Sequence, residues 1–211
     1  MKPYLIEGLD CSGKKAVANI VAKKVGEKGI PARIIIGPVC SKALRAFDNM
    51  LVNSYNIRPG SFRAKVRKYT YSFEPVLDGI LSRDKSGITI KISSHYRAWA
   101  RAMMETDTAM IRRFQRHSHR HIQYSGAVLL WTDFDTRVSR HRKDVANGKT
   151  NKVEDKRFFN NDRDFFDSWH LELRKLIETY IDSVLFIDTT NEDVESISSK
   201  IFEHIMMYQN G

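Results

Sequence analysis

The chain has 211 residues, 42% of them apolar and 10% aromatic, which suffices for one sizeable core, and no shift in composition divides it, so residues 1–211 read as a single domain. A formal net charge of +10 sets up a field that attracts phosphorylated small molecules, nucleic acid or an anionic surface without choosing among them. Two cysteines, Cys11 and Cys40, are too few for a secreted disulfide scaffold, no apolar run approaches the ~18 residues of a membrane span, and Glu7 comes too early for a secretory leader, so a soluble cytoplasmic protein is expected.

In chain order, Pro3 to Glu7 is a short apolar run that reads as a strand. Ala16 to Val25 puts Val17, Ile20, Val21 and Val25 on one helical stripe, with Gly29 near its stop. Ala32 to Ile36 is apolar and β-branched, as a buried parallel strand requires, and leaves through Gly37-Pro38. Helical patterns follow over Ser41–Val52 and Ser61–Leu81, broken at Asn53–Gly60. Ile88–Ile92, Ala127–Trp131 and Val184–Ile187 complete about five strands, each set between helix-like segments. Such alternation predicts an α/β fold in three layers, a mostly parallel sheet with helices on both faces and ligands at the strands' carboxyl ends. The polar stretch 146–164 is long for a loop in a compact domain and reads as a lid.

Gly8-Leu9-Asp10-Cys11-Ser12-Gly13-Lys14 fits G-x-x-x-x-G-K and lies between the first strand and the first helix, where a phosphate-binding loop belongs. Glycines allow the tight turns, successive N–H groups and the helix N-terminus surround phosphates, and Lys14 supplies charge at the β/γ-phosphates of a nucleotide. Gly8, Cys11, Ser12, Gly13, Lys14 and Lys15 are therefore the expected phosphate site in a P-loop NTPase-type fold. Lys15 stands where the motif has a Ser or Thr hydroxyl on Mg²⁺. Either it turns outward and phosphates, water and Asp10 hold the ion, or it replaces the ion's charge.

The run Ile6-Glu7-Gly8-Leu9-Asp10-x-Ser12-Gly13-Lys14 resembles the opening of thymidylate kinases, and the resemblance extends thinly over the whole chain. It implies ATP with Mg²⁺ as cofactors, a nucleotide substrate and, by family analogy alone, a homodimer. It gives Asp10 a place near the acceptor phosphate and metal, against which stands a plain loop-capping aspartate. Trp131-Thr132-Asp133-Phe134-Asp135, followed by Arg137, Arg140 and Arg142, is similar to the segment whose basic residues approach the nucleotide, with Arg142 matching the arginine against adenine. The lid then offers Lys149, Lys152, Lys156, Arg157 and Arg163, with Arg157 first, to stabilise the transferring phosphoryl group. Leu185 to Val194 looks like the last strand and its adenine-bordering exit, where Asn191 either touches the base or, with Thr190, caps the next helix.

The acceptor half departs from the family. Its Asp-Arg-Tyr segment reads Ser94-His95-Tyr96 here, followed by Arg97-Ala-Trp99-Ala-Arg101, and its acceptor-phosphate arginine has only Arg67, Lys68 and Tyr69 nearby. Asp10, Arg67, Tyr69, His95, Tyr96 and Arg97 are the candidate acceptor contacts. Three readings follow: a kinase acting on a nucleoside monophosphate or related acceptor, a nucleotide-binding protein without turnover, and a kinase acting on a base or sugar within nucleic acid. The third draws on Arg112, Arg113 and the alternating His117, His119 and His121, with Trp99 and Tyr124 as stacking rings; the histidines read as a basic helix end before a metal site. The aromatic group Phe158, Phe159, Phe165, Phe166 and Trp169 reads as core and lid anchoring.

Overall fold

The computed structural model describes residues 2–37, 87–117, 122–148 and 163–209. The helices expected over 41–52 and 61–81, Arg67, Tyr69, most of the 146–164 segment with Arg157, and His119 and His121 lie outside the described residues. In chain order the elements are β1 (Tyr4–Gly8), α1 (Lys14–Glu27), β2 (Ala32–Ile36), β3 (Ile88–Ile92), α2 (Tyr96–Met104), α3 (Thr108–His117), β4 (Gly126–Trp131), α4 (Phe134–Ala146), α5 (Arg163–Tyr180), β5 (Val184–Asp188) and α6 (Val194–Gln209). All five expected strands form one sheet, parallel at every pairing, in the order β2-β3-β1-β4-β5.

The period-2 alternation of the strands sorts their side chains between two helical layers. Tyr4 and Ile6 of β1, with Val128 and Leu130 of β4, join Val17 and Val21 of α1 and Ile197, Ile201 and Ile205 of α6. Leu5, Ala127 and Leu129 face the opposite side, against Trp99 of α2, Phe114 of α3 and Phe166, Trp169 and Leu173 of α5. Every residue of β1 is buried, and the strand that enters the loop of residues 8–14 is the central one of the sheet. At ~1.5–3 kcal/mol for each large apolar side chain removed from water, this double burial holds the loop's base rigid. Phe166 and Trp169 are core residues, as read from their helical spacing.

At the amino end of the sheet the Tyr4 hydroxyl bonds His204 Nδ1 at 2.7 Å, and Ser183 Oγ bonds the other ring nitrogen at 3.0 Å. At the carboxyl end the exits of β4 and β5 are joined by a Thr132–Thr189 hydroxyl bond of 2.6 Å and by the Thr189 N–H donating to the Trp131 carbonyl at 2.7 Å. Among the described residues no helix is long and apolar enough to cross a membrane.

Candidate active site

The carboxyl ends of β1, β3, β4 and β5 converge on residues 8–14. Gly8 has φ +150° and no room for a side chain: a Cβ there would lie 2.6 Å from the Leu130 carbonyl oxygen and 2.7 Å from Ser12 Oγ. Cys11 and Gly13 are left-handed, at φ 64° and 85°. For Cys11 this costs ~1 kcal/mol, and left-handed residues within a short loop create the backbone curvature from which an anion-binding concavity of N–H groups is built. Gly13 is the N-cap of α1 and no side chain caps it, so the helix presents its first N–H groups and the positive end of its dipole to the loop.

Lys14 curls back over this loop. Its ammonium donates to the carbonyls of Gly8 at 2.8 Å and Leu9 at 2.6 Å, and lies 3.4 Å from Ser12 Oγ. Burial, then the nearby Arg97 charge, pull its pKa down to about 8, against Asp10, Glu7 and Cys11. Under the loop, the buried Glu7 carboxylate accepts from the Gly8 N–H at 3.0 Å, the Ser94 N–H at 2.6 Å and the Ser94 hydroxyl at 2.7 Å. Desolvation raises its pKa, while Arg97, Lys14 and these hydrogen bonds act in the opposite sense. Ser94, at the β3 exit, is thus a strut for the loop.

Asp10 and Arg97 form a 2.9 Å ion pair at the mouth of the loop. The Arg97 guanidinium is the largest influence on Asp10 and holds its pKa at about 2, against desolvation. Arg97 is itself positioned by Trp169 of α5, whose indole N–H donates to the Arg97 carbonyl at 2.9 Å and whose ring lies 5.3 Å beneath the guanidinium. On the other side, Arg140 of α4 donates to the Cys11 carbonyl at 3.3 Å and the Thr189 carbonyl at 2.7 Å, tying the loop to the β5 exit. Arg137 is buried one turn earlier, its guanidinium 4.8 Å from the Phe166 ring. A small pocket beside it is lined by Leu9, Ser12, Thr132 and His170, and burial followed by the Arg137 and Arg174 charges depresses His170 to about 4.

The structure brings Gly8, Asp10, Cys11, Ser12, Gly13, Lys14 and Arg97 together and leaves Lys15 exposed on the first turn of α1. Other expected contact residues lie apart from this cluster. His95 and Tyr96 are buried away from the cleft: their rings pack at 4.2 Å, and Tyr96 stacks on Tyr180 at 5.9 Å. The helical period explains this, since Tyr96, Trp99 and Ala100 form the core stripe of α2 and Arg97 projects between them. Arg142 is exposed, and Arg140 is the arginine that touches the loop, because positions 137, 140 and 141 share the inner face of α4. Asn191 is also exposed, and neither it nor Thr190 caps α6: Asp193 does, accepting from the Glu195 and Ser196 N–H groups at 2.9 Å. Glu7 and Arg140 carry a signal that position alone could not interpret, a carboxylate inside an apolar strand and one arginine of three on a helix.

The donors fit phosphate better than a loop-bound Mg²⁺. Lys15 supplies no metal-ligating oxygen, Asp10 is paired with Arg97, and Glu7 accepts three hydrogen bonds. Among the described residues no group of three or more His, Cys, Asp or Glu side chains is placed to hold a metal ion.

No protein-family model and no curated protein sequence matches the chain. Its arrangement is similar to the solved structure of a thymidylate kinase from Candida albicans, with a TM-score of 0.62 at 14% identity, over 99% of this chain and 92% of that one. The likeness shows a P-loop kinase-like fold.

Proposed function

We propose that the chain is an ATP-dependent phosphotransferase that moves the γ-phosphoryl group to a nucleoside monophosphate or related acceptor. The observation that carries this reading is the loop between β1 and α1, with left-handed Cys11 and Gly13, an uncapped helix N-terminus and the Lys14 ammonium over its carbonyls. That is an anion site built for a chain of phosphates. On ATP binding, Lys14 exchanges the Gly8 and Leu9 carbonyls for phosphate oxygens, and the protein catalyses by positioning and charge stabilisation. Arg140 aligns the loop with the β5 exit. Arg97, at the opposite mouth and paired with Asp10, meets the acceptor anion, and Arg157 is the candidate for stabilising the transferring group. A reducing cytoplasmic setting suits this chemistry.

A second reading, nucleotide binding without turnover, is favoured by one observation: the β3 exit carries Ser94 bound to Glu7 and a buried His95, where the resemblance calls for an aspartate and an arginine. ATP consumption across a panel of nucleoside monophosphates, with ATP binding measured in parallel and Lys14→Ala as control, separates the two. Turnover that Lys14→Ala abolishes is the expected result; ATP binding without turnover on any acceptor selects the second reading. Absence of ATP binding refutes both.

A further inference from the structure

Cations crowd the loop: Lys14 over it, Lys15 on the first turn of α1, Arg97 on Asp10, Arg140 on the Cys11 carbonyl and Arg137 buried beside it. Of the carboxylates at the strand exits, Glu7 is bonded to the Gly8 and Ser94 donors and Asp10 is paired with Arg97, while Asp133 accepts from the Thr136 N–H through Oδ1 and keeps Oδ2 without a hydrogen-bond partner. The position after Lys14 is where this loop type supplies a hydroxyl to Mg²⁺, and a charged ammonium there has no lone pair for a metal and repels a dication at close range. The two lysines also open α1 with no acidic residue in its first turn, against the sign that the helix dipole favours. An unfavourable pair of cations at a helix N-terminus beside an anion-binding loop is relieved when a polyanion binds.

We infer that Lys15 takes the place of the divalent cation as counter-charge to the nucleotide phosphates, so that this loop binds ATP without a metal ion. The inference rests on the proposed reading of residues 8–14 as a phosphate site. Lys15 is exposed on the first turn of α1, next to Lys14, and its flexible four-carbon stem carries three ammonium donors for phosphate oxygens. Being exposed, it also tolerates replacement without loss of the fold.

Calorimetric titration of the full chain with ATP, in EDTA and in excess MgCl₂, tests this, with circular dichroism confirming that each variant is folded. The expected wild-type affinities agree within about threefold between the two conditions, whereas Lys15→Thr loses about tenfold in EDTA and recovers it with Mg²⁺. Lys15→Arg keeps the wild-type pattern. A wild type that loses about tenfold or more in EDTA, with Lys15→Thr behaving identically, overturns the inference and points instead to an ion held through Asp133, whose Oδ2 has no hydrogen-bond partner. Failure of the wild type to bind ATP in either condition removes the phosphate-site reading itself, and the inference with it.

Discussion

Replacing Arg97 by Met keeps most of the side-chain volume over Trp169 and removes one charge that three titrating groups share. Arg97 is the largest influence holding Asp10 down at about 2, it restrains the rise of Glu7, and it helps pull Lys14 to about 8. One substitution therefore moves all three pKa values upward. For Asp10, the drop from 3.8 to about 2 has a ceiling of ~2.5 kcal/mol at ~1.4 kcal/mol per tenfold. Its side chain is 53% exposed, so solvent screening reduces this to about 1 kcal/mol or less. The sign follows from linkage: a depressed carboxyl stabilises the fold above its unfolded value, and that contribution is lost as pH falls from 3.8 toward about 2. Carbon-detected NMR titration of the Asp10 carboxyl, with urea denaturation at matched pH, reads both quantities. The wild type should lose its stability advantage over Arg97→Met on acidification, while Asp10 of the variant titrates near or above the ordinary carboxylate value. An Asp10 that titrates ordinarily in the wild type, or does not move when Arg97 is removed, refutes the reasoning.

Gly8→Ala should lower stability by about 1–3 kcal/mol, read as a fall in melting temperature, because the new methyl meets the Leu130 carbonyl at 2.6 Å and Ser12 Oγ at 2.7 Å; an unchanged melting temperature contradicts that clash. Arg140→Met should weaken ATP binding by about tenfold in calorimetry, since it unties Cys11 from Thr189 and loses charge-assisted bonds; full wild-type affinity would show that the tie does not shape the site. His170, held at about 4 against 6.5 when unfolded, makes stability fall as pH drops from 6.5 toward 4, because the unfolded chain then binds the extra proton. His170→Asn should flatten that part of the denaturation profile, and an unchanged slope would show that another group sets it.

The first βαβ unit was legible because its signals are local: an apolar run, a glycine-bounded loop, a helical stripe and Gly29 at the stop all lie within 36 residues. The five strands were legible for the same reason. The wiring of the site was not. The Asp10–Arg97 pair and the Glu7–Ser94 strut each join residues 87 positions apart, and no spacing rule carries that information. Helical phase accounts for where the neighbouring side chains point. His95 and Tyr96 lie beside Arg97 in sequence but point into the core, and Arg142 lies two residues from Arg140, ~200° around the helix from it.

The bond between Tyr4 and His204 spans 200 positions of sequence, and β1 needs β3 and β4 on its two edges. During synthesis β1 leaves the ribosome well before its neighbours, which follow only once residues 88–92 and 126–131 have emerged, and α6 comes later still. Contacts of such long range slow folding, because loop closure must precede the gain from each pairing. A nascent chain halted before α6 covers the sheet face of Tyr4, Ile6 and Val128 with α1 alone and lacks Ile197, Ile201 and Ile205, which leaves apolar surface of the kind that chaperones retain. The loop of residues 8–14 therefore reaches its final shape late, once the sheet beneath it is complete.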